Sequence, residues 1–421
     1  MNLRPLAVVA VLLALVPAAA HAEDTLTVTT TETATIAAAP AVPAIDLAEQ
    51  IRTVGLIAKR AMQMTVPRQS GDVALNLDGT PLWTDNAGVA LMPASTMKVI
   101  TATVALNVLG PSWKPITRVD FDTATGTLTL VGGGDPELTS AQVDTLAATT
   151  VETLTVMGLT PSRLAIDDSL FPAPTIQPGV VAAQQPVEER PIRALVVDQR
   201  KVADSGIDAG RIFRRALAAQ GVLVPFVGRA RTSGSTISSV SGYTLRSTLK
   251  DMLWYSDNDI AEMAFRLSSI ASGSGSAWTS ARNNALAQLK QLGVSTKGLK
   301  LVDGAGLSRN NRVTPLAIAQ TLRAATANPR TAVLQTLLPK AGVDGTLRKR
   351  YATAPSKCVK GALAAKTGTL HDVISLAGYA PVPSGGTRPF AIIINGVRNS
   401  ETVRMKTRLA IDALAASFAG C

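Results

Sequence analysis

Residues 99–110, VITATVALNVLG, are apolar nearly all the way round, and a helix of that kind has to be enclosed by the rest of the fold. Gly110-Pro111 ends it. One charge rides into the interior with it. Lys98 is the only charged residue between Asp85 and Lys114. An unpaired ammonium in low dielectric costs several kcal/mol, so a buried lysine is either paired with an acid or neutralised by a lowered pKa. No acid lies nearby in sequence. A serine, Ser95, stands three residues back, where a helix brings the two side chains to one face.

Pro93 and Ala94 put that serine at the helix start, where free backbone N–H groups favour negative charge. A serine hydroxyl is a poor nucleophile until a base removes its proton. Outside the N-terminal segment His371 is the only histidine, so lysine is the more natural base than a Ser-His-Asp arrangement. A free lysine is neutral less than about once in a thousand at pH 7, and lowering its pKa to about 7 costs roughly 4–5 kcal/mol. Burial and a second nearby cation can supply that.

Ser-x-x-Lys by itself arises about once by chance in a chain of this length, and Ser247–Lys250 (STLK) matches too. That copy sits beside Arg246 and Asp251 on a surface-type helix face, so it reads as the chance match. A capping serine and a snorkelling lysine would explain the first copy equally well without company. The company is KTGT, Lys366–Thr369, with a chance expectation on the order of a tenth. It lies in a strand-like run, where Lys366, Thr367, Gly368 and Thr369 could offer a cation and hydroxyls to a carboxylate and an N–H to an oxyanion. SDN, Ser256 to Asn258, fills a short loop between two helices and adds a hydroxyl and an amide. SRN, Ser308 to Asn310, fits the same pattern but belongs to a longer loop, DGAGLSRNN, with its own turn logic.

The N-terminus carries Arg4, an apolar run over 6–20 and a small-x-small site at Ala20-His21-Ala22, which reads as an export signal over 1–22. About 15 apolar residues broken by Pro17 fall short of the roughly 20 that span a bilayer. A Thr/Ala/Pro-rich spacer follows over 23–44. Losing the signal takes the net charge from +11 to +10, which suits anionic surroundings. Scattered basic residues and few aromatics argue against nucleic acid. Cys358 and Cys421 are the only cysteines, and an even pair in an exported chain predicts a disulfide, worth roughly 4 kcal/mol for so long a loop. They cannot make a zinc site with one histidine, and no cofactor is expected.

Sequential strands GALAAKTGTL, VISLAGYAPV and FAIIINGV, with helices gathered at both ends of the chain, predict an α+β fold: an antiparallel sheet flanked by helices. LKLVDG also reads as a strand. A change of pattern after Lys114 suggests a smaller α/β unit inserted over 114–210, between domain parts at 45–113 and 211–421.

Ser-x-x-Lys, Ser-Asp-Asn and Lys-Thr-Gly in this order are the motif set of penicillin-binding proteins and class A β-lactamases. With PASTMK, VGGGDPELT, YSDNDIAE, VDGAGLSRNNRVTP, AGVDGTLRKR and AAKTGTL, the chain from about residue 45 resembles the class C low-molecular-mass penicillin-binding proteins. These are D-alanyl-D-alanine carboxypeptidases and endopeptidases of peptidoglycan. The resemblance implies the penicillin-binding fold interrupted after the Ser-x-x-Lys helix and acylation by β-lactams. It implies Ser95 as nucleophile, Lys98 as its base, and Ser256 and Asn258 as proton relay and amide holder. Lys366, Thr367 and Thr369 would bind the terminal carboxylate, with the Ser95 and Thr369 N–H groups at the oxyanion. Ala305 departs from the family's frequent DGSGLS, and the short Lys98–Ser256 interval implies one inserted domain. The rival expectations are a β-lactamase and a non-catalytic wall-binding or β-lactam-sensing protein.

Overall fold

Alternating or wholly apolar strands build the first sheet of the computed structural model, which describes residues 46–64, 69–181 and 190–421. The expected signal and spacer lie outside the described residues. Strands β1 (Ser70–Leu75) and β2 (Pro81–Asp85) form a hairpin that turns at Asp78-Gly79, as the sequence predicts. Three later strands, numbered β8 (Ala364–Leu370), β9 (Val373–Pro381) and β10 (Thr387–Asn395), complete the antiparallel order β2-β1-β10-β9-β8. β9 and β10 are buried along almost their whole length, as strands covered on both faces must be.

The helices α1 (Leu47–Gln63) and α10 (Glu401–Ser417) supply one cover, packing Ile57, Ile411, Leu414 and Phe418 onto Ile374, Leu376, Phe390 and Ile392. Cys358 and Cys421 are bridged, tying the C-terminus of that layer to a short turn ahead of β8. The other face carries α2 (Met97–Leu109), buried from Met97 to Leu106 as its all-round apolar character requires. Around it lie α5 (Leu245–Tyr255), α6 (Asn258–Ala271), α7 (Trp278–Gln291) and α8 (Pro315–Ala327). Thr244, Asp257 and Thr314 cap α5, α6 and α8, each accepting a first-turn N–H through its side chain. A single turn, α9 (Leu334–Leu337), follows.

Between α2 and α5 the chain builds a second, mixed sheet. Its strands are β3 (Ile116–Asp122), β4 (Thr127–Val131), β5 (Arg163–Asp167), β6 (Phe226–Arg229) and β7 (Ser235–Ser241), in the order β6-β5-β4-β3-β7. β4, β5 and β6 run parallel. Helices α3 (Ser140–Met157), opened by a Thr139–Gln142 capping box, and α4 (Ser205–Ala219) close a separate core on Val119, Leu130, Leu164 and Phe213. The expected exit at 210 falls inside α4, and the second sheet continues to Ser241. β6 is only four residues long, and neither it nor β7 has a buried residue, so they lack the apolar signature that would have assigned them to this sheet. LKLVDG is not a strand either: it keeps only an isolated bridge, Lys300 with Arg312.

Candidate active site

Ser95 stands in a 3-10 turn, Ala94–Thr96, that leads into α2. The turn is pinned from three sides. Asn395 of β10 accepts from the Met92 N–H (2.8 Å) and donates to its carbonyl (3.0 Å). Ser375 of β9 donates to the Pro93 carbonyl (2.7 Å). Gly306 and Gly368 press against the same backbone: a Cβ at Gly306 would lie 1.9 Å from the Ala94 carbonyl oxygen. One at Gly368 would lie 2.1 Å from Ser375 Oγ and 3.0 Å from the Pro93 oxygen. Gly368 is therefore needed for close approach of β8 to the Ser95 turn. Ala94 adopts φ +49° and Ser256 φ +61°, left-handed conformations that cost a non-glycine residue about 1 kcal/mol or more each and that concentrate at functional sites.

Lys98 is fully buried, and its Nζ reaches Ser95 Oγ at 3.1 Å, Asn258 Oδ1 at 2.7 Å and the Ala305 carbonyl at 2.9 Å. Helix α2 brings Ser95 and Lys98 together, while the N-terminus of α6 delivers Asn258. Ser256, at the C-terminal cap of α5, accepts from Lys366 Nζ at 2.9 Å. Lys366 also donates to the Thr367 carbonyl (2.8 Å), and burial together with the charge of Lys98 pushes its pKa well below the ordinary lysine value. Repulsion between two buried lysines disfavours a state in which both are charged. β8 is the edge strand of its sheet: at its start Ala365 donates its N–H to the Pro339 carbonyl (2.9 Å), and beyond that bridge no strand among the described residues pairs with its outer side. Along it Lys366 and Gly368 are buried, Thr369 is exposed, and Thr367 Oγ1 donates to Thr346 Oγ1 (2.8 Å).

Ser95, Lys98 and Asn258 thus form one hydrogen-bonded group and Ser256 and Lys366 a second, the two coupled through the charges of Lys98 and Lys366. The chance copy, Ser247 and Lys250, lies on the exposed face of α5, with Lys250 over the Trp254 ring. Ser308 turns its hydroxyl to the Pro178 carbonyl (2.8 Å), and Arg309 forms a two-point pair with Asp372, so SRN serves its own loop.

Sequence reasoning missed the residues that hold the Lys98 acceptor. Glu262, fully buried in α6, takes the N–H groups of Gly304 and Ala305 at 2.8 Å each. Thr101, one turn along α2 from Lys98, donates to the Gly304 carbonyl (2.6 Å). Asp303 takes the N–H groups of Gly306 and Ser308 and the Asn311 amide. The only signal was Glu262 itself, an acid in an otherwise apolar helix stretch. Lys98 needs no side chain at position 305, because Ala305 contributes its carbonyl. Among the described residues no three His, Cys, Asp or Glu side chains gather to hold a metal ion.

Over residues 56–202 and 198–418 the chain matches the D-Ala-D-Ala carboxypeptidase 3 (S13) family. The chain belongs to this family. Membership makes the protein a serine hydrolase of the D-Ala-D-Ala carboxypeptidase type. Among its relatives, the carboxypeptidase DacB of Mycolicibacterium smegmatis is 32% identical over 82% of this chain and 78% of its own length. A carboxypeptidase of Mycobacterium tuberculosis is 32% identical over 90% and 87%. In architecture the S13 fold here resembles penicillin-binding protein 4 of Haemophilus influenzae, with TM-score 0.72 and 20% identity over 85% of this chain and 98% of the other.

Proposed function

We propose that the constellation around Ser95 removes the terminal D-alanine from peptidoglycan stem peptides, or cuts the equivalent bond in a cross-link, through an acyl-enzyme. Lys98 takes the Ser95 proton. The oxygen then attacks the carbonyl of the penultimate D-alanine, and the Ser95 and Thr369 N–H groups hold the oxyanion. As the C–N bond breaks, the departing amine takes a proton relayed through Ser256. Water then hydrolyses the ester, with Lys98 again as base. Asn258 orients Lys98 and the substrate amide, and Lys366, Thr367 and Thr369 bind the substrate carboxylate, with Gly368 admitting the strand.

The observation that carries this reading is the three-point hold on the Lys98 ammonium by neutral oxygens, one of them the Ser95 hydroxyl. With no carboxylate among those three, nothing in them fixes its proton as a salt bridge would. The lowered pKa of Lys366 fits the same logic: an arriving carboxylate favours a proton on Lys366 and thereby keeps Lys98 neutral. A β-lactam presents a strained amide beside a carboxylate and should acylate Ser95. The basic, apolar segment over 1–22 supports export to the wall, and among the described residues no helix is long and apolar enough to cross a membrane.

Mass spectrometry of the protein after benzylpenicillin, beside Ser95→Ala and Ser247→Ala, tests it. The expected result is one stable adduct lost only in Ser95→Ala, with D-alanine released from a pentapeptide by wild type. Rapid return of hydrolysed penicillin would instead mark a β-lactamase. Absence of any adduct, lactam consumption or D-alanine release would leave a binding protein.

A further inference from the structure

Beside the catalytic residues, and outside the machinery assigned above, an open groove of about 480 Å³ runs between the end of α5 and the segment 343–348. Trp254 and Tyr255, the two residues before Ser256, form one wall. Val343, Thr346 and Arg348 line the other. Tyr255 is 72% exposed and Val343 50%, so the walls offer apolar area to solvent. The groove joins the site physically: Thr346 Oγ1 accepts from Thr367 Oγ1 at 2.8 Å, and Ser256 continues directly from Tyr255.

Its charge is one-sided at the rim. Arg348 is exposed, and among the described residues no carboxylate lies within ion-pair distance of it. Lys250 holds its ammonium 4.4 Å from the centre of the Trp254 ring. The one acid in the groove, Asp344, uses Oδ1 to accept from the Lys340 N–H (2.6 Å).

The position of the groove says which part of a substrate would reach it. In the proposed function Thr367 binds the carboxylate on the residue that leaves. Thr346 accepts from Thr367's hydroxyl, so the groove adjoins the place assigned to that carboxylate. Free D-alanine stops at its carboxylate and methyl group and has nothing to place there. A leaving amine that carries a further chain does. We propose that this groove receives the leaving strand of a cross-linked peptide, its aliphatic linker against Tyr255, Trp254 and Val343 and a carboxylate of the second stem on Arg348. The inference rests on the proposed function and deepens it: the same acylation step breaks the same C–N bond, and the amine that departs with its proton is a second peptide instead of D-alanine. Arg348 matches a carboxylate in two-point geometry, and an exposed aromatic wall gives contact area at low entropic cost.

The test compares two purified peptides on wild type, Arg348→Gln and Tyr255→Ala. One is a monomer ending in D-Ala-D-Ala. The other is a dimer in which the D-alanine carbonyl is joined to the side-chain amine, next to a D-configured carboxylate, of a second stem peptide. Each variant should lose about tenfold in kcat/KM on the dimer, mainly through KM, and change by less than about twofold on the monomer and in the rate of benzylpenicillin acylation. Equal losses on both peptides, or no loss on the dimer, overturn the groove's role. So does a wild-type enzyme that trims the monomer and leaves the dimer intact, an outcome under which the proposed function still stands. A wild type inert to both peptides and to penicillin overturns the two readings together.

Discussion

Buried or half-buried cations occur in both sheets' neighbourhoods, and their partners differ. In the inserted region Arg229 pairs with Asp168 (2.9 Å) and Asp204 (2.6 Å), and Arg193 leans on the same two acids at 3.7 and 3.4 Å. Those hydrogen bonds raise Arg229 above its ordinary pKa, so its charge is permanent. Lys98 and Lys366 are more deeply buried, and each donates to uncharged oxygens: hydroxyl, amide and carbonyl for Lys98, hydroxyl and carbonyl for Lys366. Neutral acceptors satisfy N–H groups without fixing a proton. A bonded carboxylate holds a cation charged, as at Arg229, whereas burial beside a second cation disfavours the charge, as at Lys366.

Breaking the active-site side should have the largest effect. Lys98→Met is expected to slow penicillin acylation by roughly 10²–10⁴-fold, the usual contribution of a positioned base, with stopped-flow or mass-spectrometric rates as the measure. Lys366→Gln removes the neighbouring cation, so the acid limb of the acylation rate should move to higher pH as Lys98 holds its proton more firmly; an unmoved limb would sever the proposed coupling. Glu262→Gln leaves one acceptor for two N–H groups and loosens Ala305. Acylation should fall roughly tenfold, a modest displacement of a catalytic group, while binding of a non-reacting substrate carboxylate analogue stays near wild type.

A buried acid with a neutral partner sharpens the contrast from the other sign. Asp72 accepts from Trp83 Nε1 (2.6 Å), and burial pushes its pKa up to about 7. The folded state then binds more protons than the unfolded chain between about pH 4 and 7, so stability falls as pH rises through that window. Asp72→Asn should leave the melting temperature unchanged at pH 4 and raise it at pH 8. The smallest effect belongs to the paired cation: Arg229, more than a third exposed, should cost only about 1 kcal/mol on truncation to alanine. Urea unfolding would report that loss, with penicillin acylation unaltered.

Much of this contrast is legible in the sequence. Ser95 and Lys98 sit one helical turn apart, a local relation that spacing encodes, and the uncharged surroundings of Lys98 announced its burial. The hairpin at Asp78-Gly79 and the capped helices α5, α6 and α8 carried their own local signals. What stayed hidden depends on contacts between distant segments. Glu262 reads as an ordinary helical acid until the 303–306 turn folds onto it. Residues 300–303 have strand-like composition, but the Val302 N–H goes to the Asn311 side chain (2.8 Å) instead of a neighbouring strand. The second sheet's far limit was missed because β6 and β7 are edge strands in which polar residues alternate with partly buried ones.

The pairing of β3 with β7 has a consequence for how Lys98 and Asn258 meet. Lys98 and Asn258 touch across 160 residues of chain. Ile116 and Ser241 are register partners, so once that ladder forms only eighteen residues separate Lys98 from Ile116 and seventeen separate Ser241 from Asn258. The effective loop shrinks from 160 residues to roughly 35, lowering its closure entropy by about 1 kcal/mol. The β3–β7 ladder thereby shortens the loop whose closure brings Lys98 to Asn258. A substitution that weakens the β3–β7 ladder should slow refolding of the whole chain more than it speeds unfolding.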